Sequence, residues 1–134
     1  MLSGYLGGLP AFLFYFSLSL AILTTFVGLY VFITPHQEFA LIRSGNLAAV
    51  PAFLGAAIGF TLPLTTAMRF SVNWVDFVIW ALIAAVVQIA AFYVARALMP
   101  DVSNKIVSGE IVGGAWLGGV ALIFGILNAA SMTP

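Results

Sequence analysis

The stretches of chain without charge constrain the fold most. Residues 1–35, 44–68, 77–95 and 111–134 contain no Asp, Glu, Lys or Arg. A helix crosses a ~30 Å hydrocarbon core in about 20 residues, so each stretch has room for one crossing. The runs are continuously apolar rather than alternating, which argues against a transmembrane β-barrel. The expected fold class is therefore all-α integral membrane. Four transmembrane helices are predicted near residues 10–33, 47–68, 75–98 and 111–131, within a single membrane domain over residues 1–134. Composition agrees: 63% of the 134 residues are hydrophobic and 6% are charged, against about 25% charged in a soluble domain.

The same scarcity excludes several functions. Four Lys/Arg balanced by four Asp/Glu provide no basic stripe for neutralising phosphates, so no nucleic-acid partner is expected. No Cys is present, which removes thiolate metal sites and thiol nucleophiles. The single His argues against a His-based metal site. No HExxH, GxSxG, P-loop or paired intramembrane carboxylate occurs. The expectation is a protein with no catalytic residue, no metal, no cofactor and no enzymatic activity, whose first partner is the lipid bilayer.

Before the first span there is no Lys or Arg, and the span lacks a compact apolar region ending in a small-residue cleavage site. It therefore reads as a retained crossing rather than a signal peptide. Gly4, Gly7, Gly8 and Pro10 predict a short irregular start. Orientation follows the Lys/Arg bias of the short loops. Arg43, Arg96 and Lys105 lie on one side and Arg69 on the other. Segments 34–46 and 99–110 are thus expected in the cytoplasm and both termini outside. Tyr5 and Trp74 then sit near the outer interface, and Tyr30 and Tyr93 near the inner one.

The chain carries an internal similarity. At an offset of 64, Ser44, Gly45, Gly55, Ala57, Phe60 and Met68 match Ser108, Gly109, Gly119, Ala121, Phe124 and Met132. With a one-residue gap, Pro35 matches Pro100. This predicts two tandem helix–interfacial segment–helix repeats, 10–68 and 75–132. Each unit crosses twice, so the copies share one orientation about an axis along the membrane normal, unlike inverted-repeat transporters.

Both segments that join the spans of a unit have helical signals. Thr34 can N-cap a short helix with Pro35 at its first position and Gln37 reaching back, and Gly45 can end it. The second segment has Pro100 and Gly109 at matching places. Asp101 and Lys105 stand i, i+4, a supporting pair. Phe39, Ile42, Val102 and Ile106 give each segment an apolar side, as in interfacial helices. The segments either turn the chain around or present a docking platform. In the second case His36, Glu38, Arg43, Asp101 and Lys105 face the partner.

Gly55 and Gly59 in the second span and Gly114 and Gly118 in the fourth form GxxxG steps. Such small faces allow close backbone approach, because lipid offers no hydrophobic drive for association. The second and fourth spans are expected at the centre of the bundle, with the Phe-rich first and third outside. The same faces could instead build a homo-oligomer. Pro51 and Pro63 can kink the second span. Around Pro63, the residues Thr61, Thr65 and Thr66, with Asp76 and Asn128 at the same membrane level, could line an outward-facing polar pocket. Alternatively, the hydroxyls cap their own helix and Asn128 bonds a neighbour. Asp76 can also stabilise a helix start or pair with Arg69. Arg96 is expected to snorkel. His36 and Glu38 could exchange protons, but no relay of titratable groups spans the bilayer. Gln88 and Thr24/Thr25 read as interhelical hydrogen-bonding groups.

The run ITPHQEFALIRSGNLAAVPAFLGAAIGFTLPLTTA (residues 33–67), with GILNAASM (residues 125–132), resembles the YjfL-like small inner-membrane proteins, which carry domain of unknown function number 350 (uncharacterised protein family 0719). The similarity covers nearly the whole chain. It implies a four-helix bacterial inner (plasma) membrane protein of two tandem units. Members of that family often occur beside phage-shock-type membrane-remodelling proteins, which implies a role in envelope maintenance; no catalytic or binding residue is carried over. Three functions follow as expectations. The first is a non-enzymatic subunit that anchors or recruits a cytoplasmic membrane-remodelling partner. The second is a small oligomeric channel or transporter for protons, cations or polyamines. The third is a lipid-organising scaffold.

Overall fold

A computed structural model describes residues 2–133. Its elements are α1 (Leu2–Ile33), α2 (Glu38–Arg43), α3 (Ala49–Phe70), α4 (Trp74–Leu98), α5 (Val102–Val107) and α6 (Ile111–Ser131). The long ones, α1, α3, α4 and α6, are each long and apolar enough to cross a membrane. No strand occurs among the described residues. The expected irregular start is corrected: α1 is helical from Leu2 and runs through Pro10. An apolar helix facing lipid has no water to satisfy opened backbone groups, so Gly and Pro do not unwind it.

At the centre, α3 and α6 lie side by side in parallel, so close that their backbones touch. A β-carbon on Gly55 would stand 2.3 Å from the Gly118 Cα, and one on Gly114 would stand 1.9 Å from the Ala48 carbonyl oxygen. One on Gly59 would stand 2.5 Å from the Ala121 carbonyl oxygen. The GxxxG glycines thus all stand at this contact. Gly125 joins them: its β-carbon would lie 2.2 Å from the Gly59 carbonyl oxygen. Pro63, which lacks an N–H, takes away that carbonyl's i+4 donor. The freed oxygen faces the one residue type that can approach it. Pro51 does not kink α3, because it sits in the first turn, where a missing N–H costs nothing.

Three side chains join α4 and α6 by donating to backbone carbonyls. Trp116 Nε1 donates to Ala95 O at 3.0 Å, Gln88 Nε2 to Ala121 O at 3.2 Å, and Asn128 Nδ2 to Ala84 O at 3.3 Å. The outermost helix is α1. Only 11% of its most apolar stretch is buried by the rest of the chain, against 50% for α3. Aromatic rings hold it: Phe26 stacks on Phe60 with centroids 4.2 Å apart, Tyr30 meets Phe92 edge-on at 5.8 Å, and Tyr15 meets Phe77 at 6.1 Å. Such pairs are worth about 0.5–1.5 kcal/mol beyond the area they cover. Tyr30, close to the C-terminal end of α1, is buried in the bundle, whereas Tyr5, Trp74 and Tyr93 are exposed.

Both short helices end the same way. Gly45 and Gly109 adopt φ of +86° and +78°. Gly45 N donates to Ile42 O and Asn46 N to Leu41 O; Gly109 N donates to Ile106 O and Glu110 N to Lys105 O. These are Schellman endings, and a residue with a β-carbon would be strained at either glycine. The start of α2 differs from expectation. It begins at Glu38 after Gln37, which makes no side-chain cap, so Pro35 precedes the helix and Thr34 does not cap it.

Candidate functional site

The segment between α1 and α2 turns under the bundle and carries its polar side chains inward. Glu38 is completely buried, and His36 and Tyr30 are only 4% and 3% exposed. Thr34, freed from capping, donates its hydroxyl to Glu38 Oε1. His36 Nε2 stands 3.2 Å from that same oxygen. The contact is attractive whenever the imidazole is protonated, although its angle falls outside hydrogen-bond geometry. The other ring nitrogen, Nδ1, lies 3.2 Å from Ser103 Oγ on α5. One imidazole therefore touches both halves of the chain. Glu38 Oε2, His36 Nε2 and the Tyr30 hydroxyl are buried without a hydrogen-bond partner among the described residues. Beside them lies an open cavity of about 480 Å³ lined by Val31, Thr34, His36, Glu38, Phe39 and Arg43, among others.

His36 and Glu38 consequently do not face a partner, which corrects the expectation that they would. Their positions in a loop suggested exposure, but the turn places them between α1, α2 and α5. Arg43 and Asp101 are exposed and Lys105 is half-buried. Asp101 and Lys105 form the expected i, i+4 pair at 3.5 Å. A second tie links the two short helices. Asn46 Nδ2 donates to Ile106 O at 2.8 Å and to Val107 O at 3.3 Å, while its Oδ1 accepts from Ala48 N and Ala49 N at 2.9 Å each. Asn46 thus starts α3 and holds α5 with one side chain. The regular α3 hydrogen bonding begins at Ala49, two residues later than expected.

At the opposite end, the structure does not bring the six polar-pocket residues into one cavity. Thr61 donates to Ala57 O, and Thr65 and Thr66 donate to Leu62 O, all within α3. Thr66 lines a cavity of about 120 Å³ with Ser71, Trp80 and Met132, whereas Thr65 lines a different one with Tyr15, Met68 and Arg69. Pro63 packs in the core, and Asn128 points at α4. Asp76 serves the start of α4: its N–H donates to the Asn73 side chain, and its carboxylate accepts from Val72 N at 3.1 Å. Arg69 stands over the Phe70 ring rather than pairing with Asp76.

Tyr30, Ser103, Asn46, Trp116 and Gly125 carry contacts that sequence reading passed over. Only Asn46 had a local signal, an Asn directly after a helix-ending Gly and ahead of an apolar run. Ser103, Trp116 and Gly125 depend on partners 21 or more residues away.

Comparison with known proteins places the chain. The family model described as Domain of Unknown Function (DUF350) matches residues 4–132. The chain belongs to the DUF350 family. Two relatives of this DUF350 protein, both called "UPF0719 inner membrane protein YjfL", come from Escherichia coli strain K12 and from Escherichia coli O157:H7. Each is 40% identical over 128 residues, covering 96% of this chain and 97% of the relative. No solved structure matches.

Proposed function

We propose that this DUF350 protein is a non-enzymatic, multi-pass inner-membrane subunit. It anchors a cytoplasmic membrane-remodelling partner of an envelope-maintenance system through the end that carries α2 and α5. That end faces the cytoplasm and both termini face the periplasm, as the Lys/Arg bias favours. The observation that carries the reading is the cross-tie between the short helices through Asn46. A six-residue helix does not persist alone. Tied to each other and to α3, α2 and α5 instead form one fixed surface displaying Arg43, Asp101 and Lys105. A tandem duplication accounts for the paired Schellman endings and for the parallel α3–α6 contact, which joins residues about one repeat apart.

The test is site-specific photocrosslinking in cells, with the probe at exposed Asn104 on α5 or at exposed Val72 in the opposite turn. The expected result is an adduct with a soluble cytoplasmic protein from Asn104 only, lost in an Arg43→Glu, Lys105→Glu double variant. Adducts that form equally from Val72, or that survive the double charge reversal, defeat the reading.

A further inference from the structure

We propose that the groove between α1 and α3 at the Arg69 end binds one anionic phospholipid, with its phosphate on Arg69 and an acyl chain along α1. This goes beyond the anchoring reading and does not depend on it. The argument begins with a cation that lacks an anion. Of the Lys and Arg residues, Arg69 alone stands at the end of the bundle opposite α2 and α5, and it is exposed. Among the described residues the ion pairs are His36–Glu38 and Asp101–Lys105, and Arg69 is in neither. Asp76, the nearest acid along the chain, accepts from Val72 N instead. The Arg69 guanidinium carbon lies 5.7 Å from the centre of the Phe70 ring. Stacking of that kind covers a face of the planar group and leaves the N–H donors at its edge, the fork that grips a phosphate at two points.

The groove supplies the rest of a lipid site. Beside Arg69 an open cavity of about 560 Å³ lies between the two helices, lined by Ala11, Phe12 and Phe16 of α1 and by Thr65 and Met68 of α3, among others. Phe12 and Phe16 stand one turn apart with their rings stacked at 5.7 Å, a continuous apolar wall. The Thr65 hydroxyl donates to Leu62 O, so Arg69 is left as the donor for a headgroup. A smaller groove of about 210 Å³ between α1 and α4, walled by Thr25, Leu29, Val78 and Leu82, among others, has no charged residue in its lining and offers a headgroup no ionic contact. The Arg69 groove therefore matches a molecule with an anionic head and an apolar tail. A zwitterionic head brings its own cation to the phosphate, so an unpaired Arg favours the head with net negative charge. One Arg beside such a head is worth about fivefold in binding.

The test uses the full chain in mild detergent, with dioleoyl phosphatidylglycerol and dioleoyl phosphatidylcholine as probes and retained lipid counted by native mass spectrometry. One phosphatidylglycerol per chain is expected, preferred about fivefold over phosphatidylcholine. Arg69→Gln should remove the preference. Arg96→Gln, the same charge change on an exposed residue in the last turn of α4, should leave it intact. Ala11→Trp, which fills the groove, should lower phosphatidylglycerol retention with Arg69 still present. Inorganic phosphate should not displace the lipid, because the tail holds it too. Equal retention of the two lipids by the unmutated protein overturns the proposal, as does a preference that survives Arg69→Gln or falls equally in Arg96→Gln. Retention untouched by Ala11→Trp, or displacement by phosphate alone, overturns it as well.

Discussion

Replacing Gly114 by Ala tests whether direct backbone contact holds the molecule together. The added β-carbon would meet three backbone atoms of Ala48: the oxygen at 1.9 Å, the carbonyl carbon at 2.7 Å and the Cα at 2.9 Å. An ordinary C···O contact is about 3.3 Å, so α6 must retreat from α3 by about 1.4 Å at that point. The Ala48 carbonyl cannot swing aside freely, because it accepts from Ala52 N at 3.3 Å in the first turn of α3. Retreat also loosens the next contacts along the seam, Gly118 on Pro51 and Gly55 on Gly118. Overpacking of this kind costs about 1–3 kcal/mol. Ala in place of Gly returns about 1 kcal/mol through helix propensity, so a net loss of about 0–2 kcal/mol is expected. Gly119→Ala provides the control, since its β-carbon meets nothing within 4 Å and only the propensity gain remains. Reversible unfolding in mixed micelles, followed by helix circular dichroism, compares the two. A Gly114→Ala protein as stable as Gly119→Ala would refute the close-contact argument.

Asn46→Ala should cost about 1–2 kcal/mol in the same assay, as for loss of a capping side chain, and should also raise amide exchange in α5, whose last carbonyls Asn46 holds. Unchanged exchange at Lys105–Gly109 would show that the tie is dispensable. Asn128→Leu should cost about 0.6 kcal/mol, the usual worth of an interhelical hydrogen bond in a membrane. Gln88→Leu should cost less, because its buried Oε1 has no partner and the substitution removes that penalty along with the bond to Ala121. A larger loss for Gln88→Leu than for Asn128→Leu would contradict that ordering.

The crossings were legible because charge is intolerable in hydrocarbon, and that rule acts on each residue without reference to its neighbours. The GxxxG glycines were legible for a related reason: period four on a helix defines a face whatever packs on it. Gly125 was not, since its role depends on the carbonyl that Pro63 frees one helix away. The buried His36–Glu38 pair was misread because charge outside the spans suggested exposure. Which way a turn carries its side chains is decided by tertiary packing, here by Tyr30 and by Ser103 on a distant helix. Thr34 follows from the same burial, since the hydroxyl expected to cap a helix donates instead to the Glu38 carboxylate four residues on.

The interior of the bundle bears on what the chain can do. Its centre is a seam of touching backbones, and the polar side chains that reach it, Gln88 and Asn128, donate to carbonyls rather than facing a space. A wetted path through one copy would have to part α3 from α6 along the line where they are closest. A path between several copies would run over faces the chain leaves open, where Leu54, Ile58, Leu82, Val86, Ile123 and Ile126 stand exposed. Such a wall repels water as lipid does. The strongly polar and charged surface is gathered instead at the two ends, and among the described residues it is at the α2–α5 end that polar side chains reach from one half of the chain to the other. That distribution favours a protein that displays something at the membrane surface over one that conducts through it.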